Sequence, residues 1–355
     1  MPGAGGGSLR THEINRRLVN DQHQMTVTVL TTRYPGCTDR VQDGVRYVHV
    51  GIGSGRFRLT RLLGYVLRLP FTVYRERTVD LVVEDFFAPF STMAAPLWTG
   101  RPTIGMVQWL HAREKARQYK LPFHLIERAG VRRYRRLIAV SGGTANQLLE
   151  INPRAKIDVI SNGVNPAGFQ EPQQLGRDVV FIGRLELRGK GLDLLLQAWA
   201  RTAHHLDAQL IIAGRGPDES RIRNLVDQLG ISDRVRFVGW ANGAEKFALL
   251  SSARLVVVPS RHETFGIVAV EALAAATPVL AFNIPCLQEV IPPGCGWQVR
   301  PFDVTAFADT LRSLYIDSDR LLAAGRRGRV FAANYDWDTL AAQQAQSYRA
   351  ALDSA

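Results

Sequence analysis

The stretch RLVVVPSRHETFGIVAVEALA, residues 254–274, changes character once along its length. Arg254 to Pro259 reads as a strand, a short apolar run rich in valine and without polar alternation, which suits a strand covered on both faces. After the polar turn Ser260 to Thr264, the chain from Phe265 to Ala276 has a helical pattern that is apolar except at Glu271. A strand that passes directly into a helix is the repeating unit of a parallel α/β sheet. Glu271 is the informative residue, because a carboxylate on a buried helix is expensive unless it is paired or given hydrogen-bond donors. Sugar hydroxyls would be such donors. Glu263 stands just before the helix, where it either caps the helix or holds a ligand over the amides of Phe265 and Gly266. The plainer alternative has Glu263 only capping and Glu271 turned to water.

Working outward, the same alternation repeats. Val179 to Gly183, Gln209 to Gly214, Val235 to Gly239 and Pro278 to Phe282 read as strands, with helical segments between them. In the first half, Met25 to Leu30, Val45 to Val50, Val79 to Val83, Thr103 to Val107, Leu137 to Val140 and Ile157 to Ile160 repeat the scheme less cleanly. The fold class is therefore α/β, with two Rossmann-like, doubly wound parallel-sheet domains. Residues 1–170 form the first domain, the polar stretch 171–178 the linker, 179–337 the second domain, and 338–355 a final helix. In such sheets ligands bind beyond the carboxyl ends of the strands, so the site is expected in loops facing a cleft between the domains.

The composition fits this reading. At 355 residues, with 46% hydrophobic and 21% charged residues, the chain suits two globular domains and excludes a disordered or collagen-like one. The sequence has no apolar run long enough for a transmembrane helix and no secretory signal pattern. Cys37, Cys286 and Cys295 form no CxxC pair, which argues against a disulfide framework or a cysteine-rich zinc site and for a cytoplasmic protein. The net charge of +12 is uneven: residues 1–150 hold 22 Lys+Arg against 11 Asp+Glu, and the remainder 22 against 21. A basic first domain beside a neutral second suggests an anionic partner, although arginine-rich usage throughout, 39 Arg to 5 Lys, is an alternative cause. The stretch Arg56 to Arg77 spaces Arg61, Arg68 and Arg75 by seven among Leu62, Leu63, Val66, Leu67 and Phe71. It fits a helix lying on an anionic membrane, or an ordinary Rossmann helix with a charged outer face that Pro70 interrupts. The cluster Arg132, Arg133, Arg135 and Arg136 adds to the same positive surface.

A second motif ends the strand Val179 to Gly183, where Arg184 and Lys190 flank one strand-to-helix turn that also holds Gly189 and Gly191. Two cations and a helix N-terminus are suited to a diphosphate, and a solvated basic loop would look the same in isolation. No HExxH or nucleophile elbow is present, and Asp317-Ser318-Asp319 lies away from the strand ends, as a solvated turn would.

Glu263 and Glu271, seven residues apart, complete the pattern by which the chain resembles the retaining family-4 glycosyltransferases of GT-B fold. The resemblance spans nearly the whole chain and includes SNGVN at Ser161 to Asn165, AGRGPDE at Ala213 to Glu219, FVGW at Phe237 to Trp240, and Tyr335-Asp336-Trp337. It implies that Glu271 binds the donor ribose, Glu263 the donor sugar, and Arg184 and Lys190 the diphosphate. By the same resemblance, the amides of Phe265, Gly266 and Ile267 hold phosphate or sugar. Gly239 and Trp240 line the base, with Gly214 in the neighbouring loop, and the last helix crosses back to the first domain. Gly5-Gly6-Gly7, ahead of a helical pattern holding Arg10, resembles the family's glycine-rich loop near acceptor and donor phosphate. The family's first strand should run into this loop, yet only Met1 to Ala4 precede it, so upstream coding sequence is expected to supply an apolar strand. Where the family often has a histidine after the strand corresponding to PTIGMV, Gln108 stands, with His111 three residues on as the substitute.

The expectation is a hexosyltransferase using a nucleoside-diphosphate sugar, by default a UDP-sugar, with retention, no metal and no resident cofactor. Its expected partners are a small-molecule or lipid-linked acceptor and, peripherally, the inner face of an anionic membrane; no nucleic acid is expected. The same donor site would also serve a nucleotide-sugar epimerase. A non-catalytic module binding anionic surfaces is the third reading.

Overall fold

The computed structural model describes residues 6–20, 22–53, 56–76, 78–86, 92–108, 110 and 122–354. The chain divides into two compact units, one of residues 1–161 with 337–355, the other of residues 162–336. In chain order, the first unit holds α1 (Gly6–Leu18), β1 (Thr28–Thr32), β2 (Arg40–Gln42), β3 (Val45–Val50), α2 (Arg58–Arg75), β4 (Val82–Asp85), β5 (Thr103–Val107), α3 (Phe123–Val131), β6 (Arg136–Ala139), α4 (Gly142–Ile151) and β7 (Lys156–Val159). The second holds α5 (Ala167–Gln170), β8 (Val179–Ile182), α6 (Leu192–Thr202), β9 (Leu210–Ala213), α7 (Glu219–Gln228), β10 (Val235–Gly239), α8 (Gly243–Ser251), β11 (Leu255–Val258), α9 (Ile267–Ala274), β12 (Val279–Phe282), α10 (Pro285–Val290), β13 (Gly296–Val299), α11 (Val304–Tyr315) and α12 (Ser318–Ala332). The final helix, α13 (Trp337–Leu352), returns to the first unit.

The second unit is one parallel sheet of order β10-β9-β8-β11-β12-β13. Every residue of β9, β11 and β12 is buried, which is why their sequences read as continuous apolar runs. Stretch 171–178, expected as a linker, lies inside this unit. Arg329 Nη2 donates to the Glu171 carbonyl at 2.5 Å, and Gln173 Nε2 donates to the Leu322 carbonyl at 2.8 Å. The Asp178 carboxylate accepts from the Gln209 amide at 2.9 Å. Its lack of hydrophobic period reflects this role, since polar side chains that bond to backbone follow no period.

The first unit differs from the single sheet expected. Its strands form two sheets, β1-β3-β2 and β4-β5-β6-β7, and no described strand lies between β1 and β4. Within each sheet the pairings are parallel except β2 with β3, a hairpin turned by Asp43 and Gly44 at φ 51° and 78°. Helix α2 runs through Pro70 without a break. Its exposed face carries an apolar stripe beside the exposed cations Arg68 and Arg75: Leu63, Leu67, Phe71 and Tyr74, at i, i+4, i+8 and i+11, are all exposed. Gly64, Leu69 and Val73 form the buried side. Among the described residues no helix is long and apolar enough to cross a membrane.

Candidate active site

Three neighbouring strands of the second unit end in glycine, at Gly183 after β8, Gly214 after β9 and Gly239 at the end of β10. The Gly214 amide donates to the Gly239 carbonyl at 2.6 Å, and the Gly183 amide to the Ala213 carbonyl at 3.0 Å. A Cβ on Gly214 would stand 1.8 Å from the Gly183 carbonyl oxygen, so the two strand ends close up only because that residue is glycine. Trp240, next in the chain, is 52% exposed, and the Arg223 guanidinium lies 4.0 Å over the Phe237 ring.

The loops after β8 and β11, adjacent strands, are bound to one another. Lys190 Nζ lies 2.5 Å from Glu263 Oε1, which also accepts from Ser260 Oγ at 2.8 Å. Arg261 makes a two-pronged contact with Asp193 in the first turn of α6, at 2.6 and 2.8 Å, and its amide donates to the Gly189 carbonyl. The two loops therefore hold one geometry, with Lys190 and Glu263 at their junction. Arg184 is mostly exposed, its guanidinium 3.0 Å from Glu186. Cys286 lies nearby; burial, reinforced by the charge of Glu263 and Glu289, pushes its thiol pKa up to about 12.

Helix α9 begins at Gly266, whose φ of 80° a side chain rarely adopts. The Phe265 ring is buried edge-to-face on Tyr335, 5.6 Å between centroids, so this residue offers its backbone rather than its side chain to a ligand. Glu271 is 5% exposed. It is not alone: Lys246, on α8, places Nζ 2.5 Å from Glu271 Oε1. Burial raises the Glu271 pKa and Lys246 opposes the shift.

In the first unit Gly6 and Gly7 open α1, and Gln108, just past β5, donates to Asp85 Oδ1 at 3.2 Å. Asp85 also accepts from Thr11 on α1 at 3.0 Å; burial pushes its carboxyl pKa up, and Gln108 and Arg10 counter the shift. Arg10, expected to face a ligand, is 2% exposed. Its Nη2 donates to the Ile160 carbonyl at 3.2 Å and to Gln344 Oε1 at 2.8 Å, so it ties α1 to α13 and to the end of β7. His111 lies outside the described residues. Asp317 serves as the N-cap of α12, accepting from the Arg320 amide at 3.0 Å. Among the described residues, no group of three His, Cys, Asp or Glu is placed to hold a metal ion.

Lys246, Asp193 and Ser260 were not singled out by the sequence reading. One signal was available: only five cations in the chain are lysine, and two of these, Lys190 and Lys246, meet the two glutamates of the motif.

Residues 170–331 match the family described as "Glycosyl transferases group 1", and residues 4–167 match "Glycosyltransferase Family 4". An MMP alpha-(1->4)-mannosyltransferase of Mycolicibacterium hassiacum is 30% identical over 85% of this chain and 69% of its own length. The chain belongs to glycosyltransferase family 4. This glycosyltransferase is also 28% identical to a glycogen synthase of Mycobacterium tuberculosis, over 98% of the chain and 91% of that protein. The sucrose-phosphate synthase structure from Thermosynechococcus elongatus superposes with a TM-score of 0.82 at 22% identity, covering 99% and 95% of the two chains. The fold is GT-B, and the enzyme is a glycosyltransferase with Lys190, Glu263, Lys246 and Glu271 grouped in its second unit.

Proposed function

We propose that this glycosyltransferase moves a hexose-type sugar from a nucleoside-diphosphate donor, a UDP-sugar, to an acceptor hydroxyl with retention of configuration and without a metal ion. The observation that carries the proposal is the Lys190–Glu263 pair, set where the loops after β8 and β11 meet the start of α9. As the anomeric bond breaks, negative charge grows on the departing diphosphate. Arg184, Lys190 and the amides of Phe265 to Ile267 take up that charge, aided by the dipole of α9. Interactions that strengthen as the charge develops accelerate the step, whereas equal binding of ground and transition states does not. Glu263 then orients the donor sugar, and Glu271, its charge balanced by Lys246, accepts from the ribose hydroxyls. Gly239, Trp240 and Gly214 border the base. The acceptor side is assigned to Gly6, Gly7 and Gln108, with Arg10 holding α1 in position from within.

The peripheral partner we assign is an anionic membrane surface at the cytoplasmic face, carrying a lipid-linked acceptor. Its support is the exposed stripe Leu63, Leu67, Phe71 and Tyr74 on α2, flanked by exposed Arg68 and Arg75. Apolar insertion and attraction to anionic head groups then act on the same helix.

The test is a thermal-shift series with UDP, GDP, ADP and their hexose conjugates on wild type and Lys190→Ala, followed by product stereochemistry with and without a chelator. A ligand at about 100 times its dissociation constant stabilises the native state by about 2.7 kcal/mol. A shift with UDP that Lys190→Ala removes is the expected result. A shift with GDP or ADP alone rejects the uridine assignment, and no shift with any nucleotide rejects the donor site.

A further inference from the structure

Ser260 follows Pro259 at the carboxyl end of β11, and only 1% of it is exposed. A hydroxyl so buried is costly unless it is hydrogen-bonded. It donates to Glu263 Oε1 at 2.8 Å, the same oxygen that lies 2.5 Å from Lys190 Nζ. Both donors therefore use one side of the carboxylate, and among the described residues no hydrogen bond reaches Oε2. An ionised carboxylate accepts through both oxygens, so Oε2 keeps its capacity for a hydroxyl of a ligand.

The backbone that carries Ser260 is pinned on either side. Gly191, just ahead of α6, packs so closely on Pro259 that a Cβ there would stand 1.9 Å from the Pro259 carbonyl oxygen. Arg261 donates its amide to the Gly189 carbonyl and its Nη1 to the Arg188 carbonyl, besides gripping Asp193. A hydroxyl on backbone held in this way fixes the group it bonds to. Lys190 is a different kind of holder. Its ammonium is a point charge on a flexible stem, and the charge growing on a departing diphosphate competes with Glu263 for it. Once Lys190 turns to that ligand, the carboxylate loses its fixed place unless a second donor remains. Ser260 is neutral and buried, and an arriving anion leaves its bond to Glu263 intact. The other glutamate supplies the contrast: Lys246, which has no diphosphate to serve, is the one side chain that donates to Glu271 among the described residues.

We propose that Ser260 is a positioning residue for the donor sugar. It holds Glu263 Oε1 while the diphosphate engages Lys190, and so keeps Oε2 in one place to accept from a hydroxyl of the sugar. The assignment rests on the reading of Lys190 as diphosphate-binding and of Glu263 as sugar-binding. It divides donor recognition in two: Lys190 acts on the diphosphate, common to nucleotide and nucleotide sugar, and Ser260 acts through Glu263 on the sugar alone.

The experiment is calorimetric titration with UDP, UDP-glucose and UDP-N-acetylglucosamine, and with GDP and GDP-mannose. It uses wild type, Ser260→Ala, Ser260→Thr, Lys190→Ala, Glu263→Gln and the double variant of Ser260→Ala with Glu263→Gln, with melting temperatures recorded to show that each is folded. For a nucleotide sugar that binds wild type, Ser260→Ala should raise Kd about tenfold and leave that of the bare nucleotide within about twofold. Ser260→Thr, which keeps a hydroxyl, should restore the wild-type difference between the two. Adding Ser260→Ala to Glu263→Gln should change little further, because the serine acts only through that carboxylate. Lys190→Ala should weaken nucleotide and nucleotide sugar alike. A loss in Ser260→Ala that is equal for nucleotide and nucleotide sugar, or that adds in full to the loss in Glu263→Gln, would overturn the proposal and leave the serine a bond of loop structure alone. Wild type that binds no nucleotide at all rejects the donor site itself, and this role with it.

Discussion

Glu271 sits inside α9 with its carboxylate out of bulk water, and the opposing Lys246 ammonium 2.5 Å away makes that burial tolerable. Removing one member of a buried pair leaves the other charged and unpaired, so Lys246→Met should cost about 3 kcal/mol in chemical denaturation. Adding Glu271→Gln to that variant should restore most of it. The raised pKa also has a sign. A carboxyl that holds its proton more tightly in the folded state favours folding most below its unfolded value of 4.5, and the advantage fades as pH climbs to the folded value. Glu271→Gln should therefore flatten the decline of melting temperature above that pH. Cys286 offers a second residue-scale test. With its thiol pushed up to about 12, it should resist thiol reagents at pH 8 together with buried Cys295, while half-buried Cys37 reacts.

At the scale of elements, the site depends on two loops being held together. Arg261→Ala removes both prongs to Asp193, and a double-mutant cycle with Asp193→Ala should give a coupling of about 1–2 kcal/mol. Its kinetic signature is a fall of about tenfold in kcat/KM for the donor, because Glu263 and Lys190 lose their fixed spacing. Gly266→Ala tests the start of α9, where a Cβ would meet φ 80° and stand 2.6 Å from Leu287 Cδ2; the expected loss is about 1–2 kcal/mol. In the second unit, apolar runs made strands legible whether interior, as β9, β11 and β12 are, or at an edge, as β10 is with Arg236 and Val238 exposed. Val235–Gly239 has the expected bounds, and β8, β9, β11 and β12 differ from them by a residue or so at an end. Strands β2, Arg-Val-Gln, and β13, Gly-Trp-Gln-Val, were missed because neither holds an apolar run. Asp43-Gly44 was the one cue to the β2–β3 hairpin. The candidate site divides in the same way. Glu263, Glu271 and Lys190 stand out by spacing along the chain, whereas Lys246 and Asp193 acquire partners only through packing between elements.

For the whole molecule, the exposed face of α2 is the surface most at odds with an ordinary soluble helix. Vesicle flotation should recover the protein with anionic lipid and not with neutral lipid, and Leu67→Asp with Phe71→Asp should lower recovery by about tenfold. Raising salt alone should weaken binding without abolishing it, since part of the attraction is apolar. The division of the chain has a different consequence. The second unit is an unbroken segment, residues 162–336, entered and left at one place, where Val164 is bridged to Asp336. The first unit waits for α13, whose Gln344 holds the buried Arg10. During synthesis the inner segment can therefore complete its sheet before the outer one has its last helix. The remaining residues 337–355 take roughly one to four seconds to translate. Over that interval the arginine-rich N-terminal half leaves the ribosome without its closing helix, so it is the half exposed to chaperones, proteases and errors of assembly.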